Sequence, residues 1–380
     1  MTRLRAFLLA ALCAATAAVA VRTAPAQGTG DTDRMYYRNP AKDGKEEMLV
    51  GELKESAAGV QVYGADKKLR QTVSPADVLR IEYTTLKNVD RDAYAQATRL
   101  DAGPDPAKAA AAFADLILKA GPTAEARTTR ALTFRQLMLS VRANDAEADD
   151  AKFDAAATKL ADELAKFSRT YATGWECWPT ATTACRLLGE LGKPADAALL
   201  AKELGDNPNL TPALRTDARL MEVGYQFMAG GRGAAPALAE AQKGAATMTE
   251  RQKETAAVFA AVLALPEPEP RDPNLLPDEA AAKAAAHAKK VRDAVAKVEA
   301  LIAKAKSTAT RAAGYNAIGE AYLRHALTRD AMWAFLWVDV VYNQEKGEQI
   351  KAVNRLIQIY KATGEEERET VFRDRLLKAR

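Results

Sequence analysis

The apolar residues of this 380-residue chain change their period near Asp101, and that change limits the fold more than any other feature. Ahead of it they alternate with polar ones. Val60 and Val62 alternate with Gln61 and Tyr63, and Leu79, Ile81 and Tyr83 with Arg80 and Glu82. Met48, Val50 and Leu53 sit on another run, and Leu69–Val73 on a further one. A period of two places one set of side chains on one face of a strand. Gly44, Ala58-Gly59 and Gly64-Ala65-Asp66 punctuate the runs as turns. Beyond Asp101 the apolar residues recur every three or four positions. Phe113, Leu116 and Ile117 mark one stripe, Leu132, Phe134, Leu137, Met138 and Val141 the next, then Phe153, Leu160, Leu164 and Phe167. That is the stripe of amphipathic helices. Pro106, Pro194 and Pro212 stand at first helical positions, and Thr249 with Gln252 makes a capping-box pattern.

These patterns predict a mainly α protein, an antiparallel helix-hairpin array behind a small antiparallel β-barrel or sheet. Alanine dominates the helical part; it favours helix but buries little surface, so single helices would be weakly held. Stacked hairpins bury such stripes and let helices approach closely. The β domain, residues 35–85, resembles the SH3-like or Sm-like barrel in outline only. A core of that size is marginal alone, so it should lean on the helices that follow. Residues 100–265 read as a degenerate hairpin array. Residues 266–278 (PEPEPRDPNLLPD) cannot be helical and read as a linker or a long surface loop. Helical character returns over 279–380, beginning with a lysine-rich face (Lys289, Lys290, Lys297) that reads as solvated.

Residues 1–26 carry the pattern of a secretory signal. Arg3 and Arg5 precede an alanine-rich apolar run with Phe7, Leu8, Leu9 and Leu12, which ends at Val21 before Arg22. Ala24 and Ala26 suggest cleavage at Ala26–Gln27, with Ala20–Val21 as the alternative. The run is too short and too rich in alanine for a membrane span. Leu12 before Cys13 departs from the small residue that a lipid-anchoring cysteine requires. A polar, flexible leader (27–34) follows. The chain is thus expected to be exported, to the periplasm or the cell exterior. Without residues 1–26 it carries 51 basic and 50 acidic side chains. So balanced a charge offers no general attraction to nucleic acid or acidic lipid. Export permits a disulfide between Cys177 and Cys185, but eight residues along a helix is about 12 Å and bridged Cα atoms lie within about 7 Å. Two buried thiols fit better.

A repeat motif becomes specific at Tyr315. Tyr315, Ile318, Gly319 and Tyr322, then Ala331 and Phe335, stand at the intervals of a tetratricopeptide repeat. The chain resembles that family here, with Asn343 where the closing proline usually falls. A weaker copy over Ala181–Pro208 has Gly192 at the turn, Ala197 at the small position and Ala201 in the place of the aromatic, with Cys185 where the first-helix glycine would be. Val353, Leu356, Tyr360, Gly364 and Val371–Leu377 form a degenerate third copy. The resemblance implies a concave groove lined by first helices that holds an extended peptide or partner helix. Residues off the packing stripe should face it: Asn316, Glu320 and Arg324, Asn354 and Gln358, and Thr182, Arg186 and Glu190. Glu320 interrupts the basic-and-amide clamp that such proteins use on peptide carboxylates, so that ligand class does not carry over.

The expected function is that of a non-enzymatic interaction or scaffold protein with a protein or peptide partner and no cofactor. One alternative is a cell-wall-associated hydrolase or accessory with the β domain as targeting module; another is a structural component of an envelope assembly. The hydrolase predicts a deep pocket with convergent acids or a His–acid pair. His287 and His325 lie in different helices, and no zinc spacing, phosphate loop, nucleophile elbow or HExxH motif is present. The glycine-rich run 229–233 joins two helices, as a turn does. The helix Ala331–Tyr342 is apolar nearly all round. It needs cover on every side, either from the rest of the chain or from a partner docked at Trp333 and Trp337.

Overall fold

A computed structural model describes residues 32–42, 44–269 and 276–380. The expected signal with Cys13, most of the polar leader and residues 270–275 of the proline-rich segment lie outside the described residues.

Five antiparallel strands form one sheet: β1 (Asp33–Asn39), β2 (Lys45–Ser56), β3 (Gly59–Tyr63), β4 (Leu69–Val73) and β5 (Val78–Glu82). Their order is β4-β3-β2-β1-β5, an open sheet with β4 and β5 at its edges rather than a closed barrel. β2 serves two partners, pairing with β1 up to Gly51 and with β3 from Glu52. At that switch the Tyr63 carbonyl comes so near that a Cβ on residue 51 would lie 2.2 Å from it, which only glycine avoids. The pleat also separates Leu53, which is buried, from Met48 and Val50, which are exposed on the opposite face. Their different parity along the strand is the reason.

Fourteen helices follow among the described residues: α1 (Arg91–Asp101), α2 (Pro106–Ala120), α3 (Ala126–Asp145), α4 (Asp150–Thr170), α5 (Cys177–Glu190), α6 (Pro194–Asp206), α7 (Pro212–Met228), α8 (Ala234–Gln242), α9 (Glu250–Leu263), α10 (Pro277–Lys304), α11 (Thr308–Arg324), α12 (Thr328–Val341), α13 (Lys346–Thr363) and α14 (Glu366–Ala379). Pro106, Pro194 and Pro212 open their helices, and Thr249 and Gln252 complete the capping box of α9. Helix starts ahead of Asp101 because Asp90 caps α1, its carboxylate accepting from the Ala93 amide. α5 begins at Cys177, so both cysteines ride one helix; both are buried and unbridged. No described helix is long and apolar enough to cross a membrane.

Neighbouring helices pack in sequence, and from α5 onward the odd-numbered helices also meet one another. α7 touches α9 and α11, α11 touches α9 and α13, and α13 returns to α5. One apolar cluster draws Val258, Phe259 and Val262 from ahead of the proline-rich segment and Val291, Val295, Val298 and Ile302 from behind it. Contact is closest where residues are small. Inside the α11–α12 pair the Phe335 ring lies over Gly319, where a Cβ would come within 2.6 Å of it. In α5–α6 the Cys185 thiol donates to the Ala197 carbonyl at 3.4 Å.

The sheet is fastened to the helices by apolar contact and by buried charge. Met35, Val60, Val62 and Ile81 join one cluster with Phe134, Leu164 and Trp175. Above them Arg127 bridges Asp33 (3.0 Å) and Glu55 (2.9 Å). Arg130 joins Glu55 to Glu176, the latter at 3.0 Å. Burial pushes the Glu176 carboxyl up to about 7, against the pull of Arg130. A carboxyl raised on folding stabilises the native state below its unfolded value, and that contribution fades as pH rises through its folded one. Glu176 should therefore lower stability between pH 5 and pH 8 by on the order of 2 kcal/mol. Urea unfolding of Glu176→Gln should show a correspondingly flatter pH dependence; an unchanged difference between the two pH values would contradict this.

Candidate functional site

The inner helices α5, α7, α9, α11 and α13 face one another around a cavity of about 580 Å³. Six of the eight residues expected to face a groove line it: Thr182, Arg186 and Glu190 from α5, Asn316 and Glu320 from α11, and Asn354 from α13. Arg324 and Gln358 are not part of the lining. Arg324 is half-buried, with its guanidinium against Gly231 in the turn after α7. Gln358 is exposed and accepts from Arg355 Nη1 at 2.7 Å. Trp333 and Trp337 lie exposed on α12, outside the cavity.

Each acid in the cavity wall meets a base. Glu190 is held by Arg186 from one turn away (2.6 Å) and by Arg380 from the far end of the array (2.7 Å). Arg186 also binds Asp145, and the Arg380 guanidinium stacks 3.4 Å from the Phe153 ring centre. Glu320 takes two bonds from Arg355 (2.5 and 3.1 Å), which donates a third to the Met228 carbonyl at 2.7 Å. Burial raises the carboxyls of Glu320 and Asp145 above the usual range, and the adjoining arginine opposes the rise in each. Glu348 pairs with Lys351 (2.7 Å), whose ammonium lies 4.7 Å from the Tyr225 ring centre. Asp217 pairs with Arg251 at 2.6 Å. Between these pairs run Met221, Met228, Phe227, Phe259 and Ile350.

One polar group is left over. Asn316 donates through Nδ2 to the carbonyl (3.0 Å) and carboxylate (2.7 Å) of Glu348. Its own Oδ1 is buried with no donor among the described residues. A buried acceptor without a partner costs about 1–3 kcal/mol, so an arriving N–H would be bound favourably there. Chemical poise is weaker. Burial pushes both cysteine thiols up to about 12, which leaves little thiolate near neutral pH. Glu176, near 7, sits at the sheet junction and not in the cavity lining.

The histidines, read from the sequence as lying in different helices, are brought together by the fold. His287 Nε2 and His325 Nδ1 meet at 3.0 Å, and Glu269 lies 3.3 Å from His287 Nδ1. Folding brings α10, the end of α11 and the start of the proline-rich segment to one place, which residue spacing does not reveal. Burial first, then His287 and Arg324, lower the His325 pKa. Among the described residues no group of three or more His, Cys, Asp or Glu side chains is arranged to hold a metal ion.

Several lining residues escaped the sequence reading. Lys351 lies one turn before Asn354 on the same face of α13, so the register that selects Asn354 also selects it. Asp217, Tyr225 and Arg251 come from α7 and α9, which carry no repeat motif. Comparison with protein-family models, curated proteins and solved structures finds no match to this chain.

The Glu320–Arg355 pair gives a test of how the wall is held. Arg355→Met leaves a buried carboxylate uncompensated, at an expected cost of about 3–5 kcal/mol. The loss should be smaller at pH 5 than at pH 8, because a lone buried carboxyl can take up a proton. Adding Glu320→Gln should recover more than half of it in urea unfolding. Equal stability of the single and double variants would show that the pair does not hold α13 to α11.

Proposed function

We propose that this protein is an exported, non-enzymatic binding protein of tetratricopeptide-like architecture, which holds an extended peptide or partner segment in the cavity between its inner helices. The observation that carries this reading is the convergence of Thr182, Arg186, Glu190, Asn316, Glu320 and Asn354 on one cavity. Those positions follow from the repeat register alone. Gly319 beneath Phe335, and Cys185 against Ala197, fit the small positions of the same register. The volume lies within the range of about 300–1,000 Å³ typical of small-ligand sites, enough for a few residues of extended chain. The lining suits such a guest, with apolar side chains for its side chains and an unpartnered Asn316 carbonyl for a backbone amide. Binding is favoured over hydrolysis because the acids of the wall are engaged by arginine or lysine, and because the His287–Glu269 pair lies outside the lining. A general acid or base needs a proton affinity poised near the working pH and reach to its substrate.

Gly224 allows the cavity to be filled without disturbing the fold. It lies within α7 on the lining, and a Cβ there would meet only Lys351 Nζ, at 3.9 Å. Gly224→Leu should raise helix stability by up to about 1 kcal/mol while its side chain occupies the cavity. On an array of random extended peptides, the wild-type protein should retain a defined subset and Gly224→Leu should retain none of it. Retention of the same peptides by both proteins, or of none by the wild type, would contradict the proposal.

A further inference from the structure

We propose that the outer face of α12 is a self-association surface, on which a second copy of this chain docks its own α12 antiparallel, centred on Trp337. Trp333, Trp337, Val340 and Val341 are 60, 48, 62 and 42 % exposed. Their spacing of four, three and one places them in a single stripe along the helix. The stripe carries no charge: Asp339 turns inward, accepting from Gln349 Nε2 at 3.0 Å and pairing with Arg375 of α14. Each neighbouring helix also exposes an apolar residue. Arg292 ties α10 to α12 through Asp330 at 2.8 Å, and α10 exposes Leu301; α14 exposes Val371. Half of the large apolar side chains exposed among the described residues lie on these three helices, and four of those six on α12 alone.

Area and charge together select the occupant. Full burial of an aromatic side chain removes about 150–250 Å². The four exposed α12 side chains therefore offer roughly 400 Å² per copy, and roughly 800 Å² when doubled about a two-fold axis. That doubled area lies below the ~1,200 Å² of the smaller stable interfaces and suits a weak, reversible association. A neutral helical stripe is complemented by another neutral helical stripe, and the chain supplies one. Orientation follows from the ends. Arg329, exposed one turn before Trp333, lies in an antiparallel pair just beyond the C-terminal end of the partner subunit's α12, on the side to which its last carbonyls point and where the helix dipole favours a cation. A parallel pair would set two like charges side by side. Tryptophans at the centre of such a contact are the residue type that most often dominates binding.

Sedimentation equilibrium of the full chain should show a reversible monomer–dimer transition with Kd on the order of 10 µM, as suits an interface near the small end of the range. Val340→Lys, at an exposed position, should remain folded by circular dichroism and weaken association at least tenfold. In a Cys13→Ser background, with Cys177 and Cys185 buried, Trp337→Cys should form a covalent dimer on mild oxidation. Arg329→Cys should not, because antiparallel pairing about Trp337 sets the two copies of position 329 about 24 Å apart. A monomer at every concentration would overturn the proposal, including one that instead binds lipid vesicles. So would undiminished association of Val340→Lys, or equal cross-linking of both cysteine variants.

Discussion

The architecture depends on a buried ion pair between residues far apart in the chain, Glu190 on α5 and Arg380 beyond α14. Both are almost fully withdrawn from water, and Glu190 keeps a second partner in Arg186. Burying a charge is tolerable only when its partners compensate it. The last hairpin therefore has one seat that satisfies Glu190 and stacks Arg380 on Phe153. The same closure sets Lys351 over Tyr225 and Arg355 on the Met228 carbonyl. Helices rich in alanine bring close approach but little apolar bulk, so directional polar contacts take a larger share in fixing where the array ends up.

Reading the sequence recovered what is local. The period change separates sheet from helices, the prolines and the capping box mark helix starts, and the register around Tyr315 picks out Asn316 and Glu320 as neighbours of one cavity. The same register carried one turn further picks Arg324 and Gln358, which the lining excludes. A straight stripe along a helix outruns a site of limited length, and Gly231 and Arg355 engage those two side chains at its margin. What the sequence hid is tertiary. His287 meets His325 across two helices, Glu176 finds Arg130 across the sheet junction, and α7 and α9 contribute to the cavity without a motif to announce it. Within β2 the parity of Met48 and Val50 against Leu53 was legible, but grouping them by hydrophobicity alone concealed it.

The two faces of the C-terminal helices divide the proposed work. Inward, α11 and α13 present paired charges, an unpartnered Asn316 carbonyl and apolar side chains, a surface suited to a short extended guest. Outward, α12 presents an uncharged tryptophan–valine stripe, suited to a flat apolar contact. The hairpin links both, since Gly319 seats Phe335 of α12 against α11. Occupancy of one face need not disturb the other, because the inner wall is braced by ion pairs that the outer stripe does not touch.

The methionines distinguish the two faces directly. Met221 and Met228 line the cavity, Met332 lies on α12, and Met138 sits beside the cluster under the sheet. In methyl spectra of protein labelled at methionine, addition of a peptide retained by the array should shift Met221 and Met228 and leave Met138 and Met332 in place. Shifts confined to Met332, or no shift at Met221 and Met228 under saturating peptide, would place binding elsewhere and contradict the assignment of the cavity as the site.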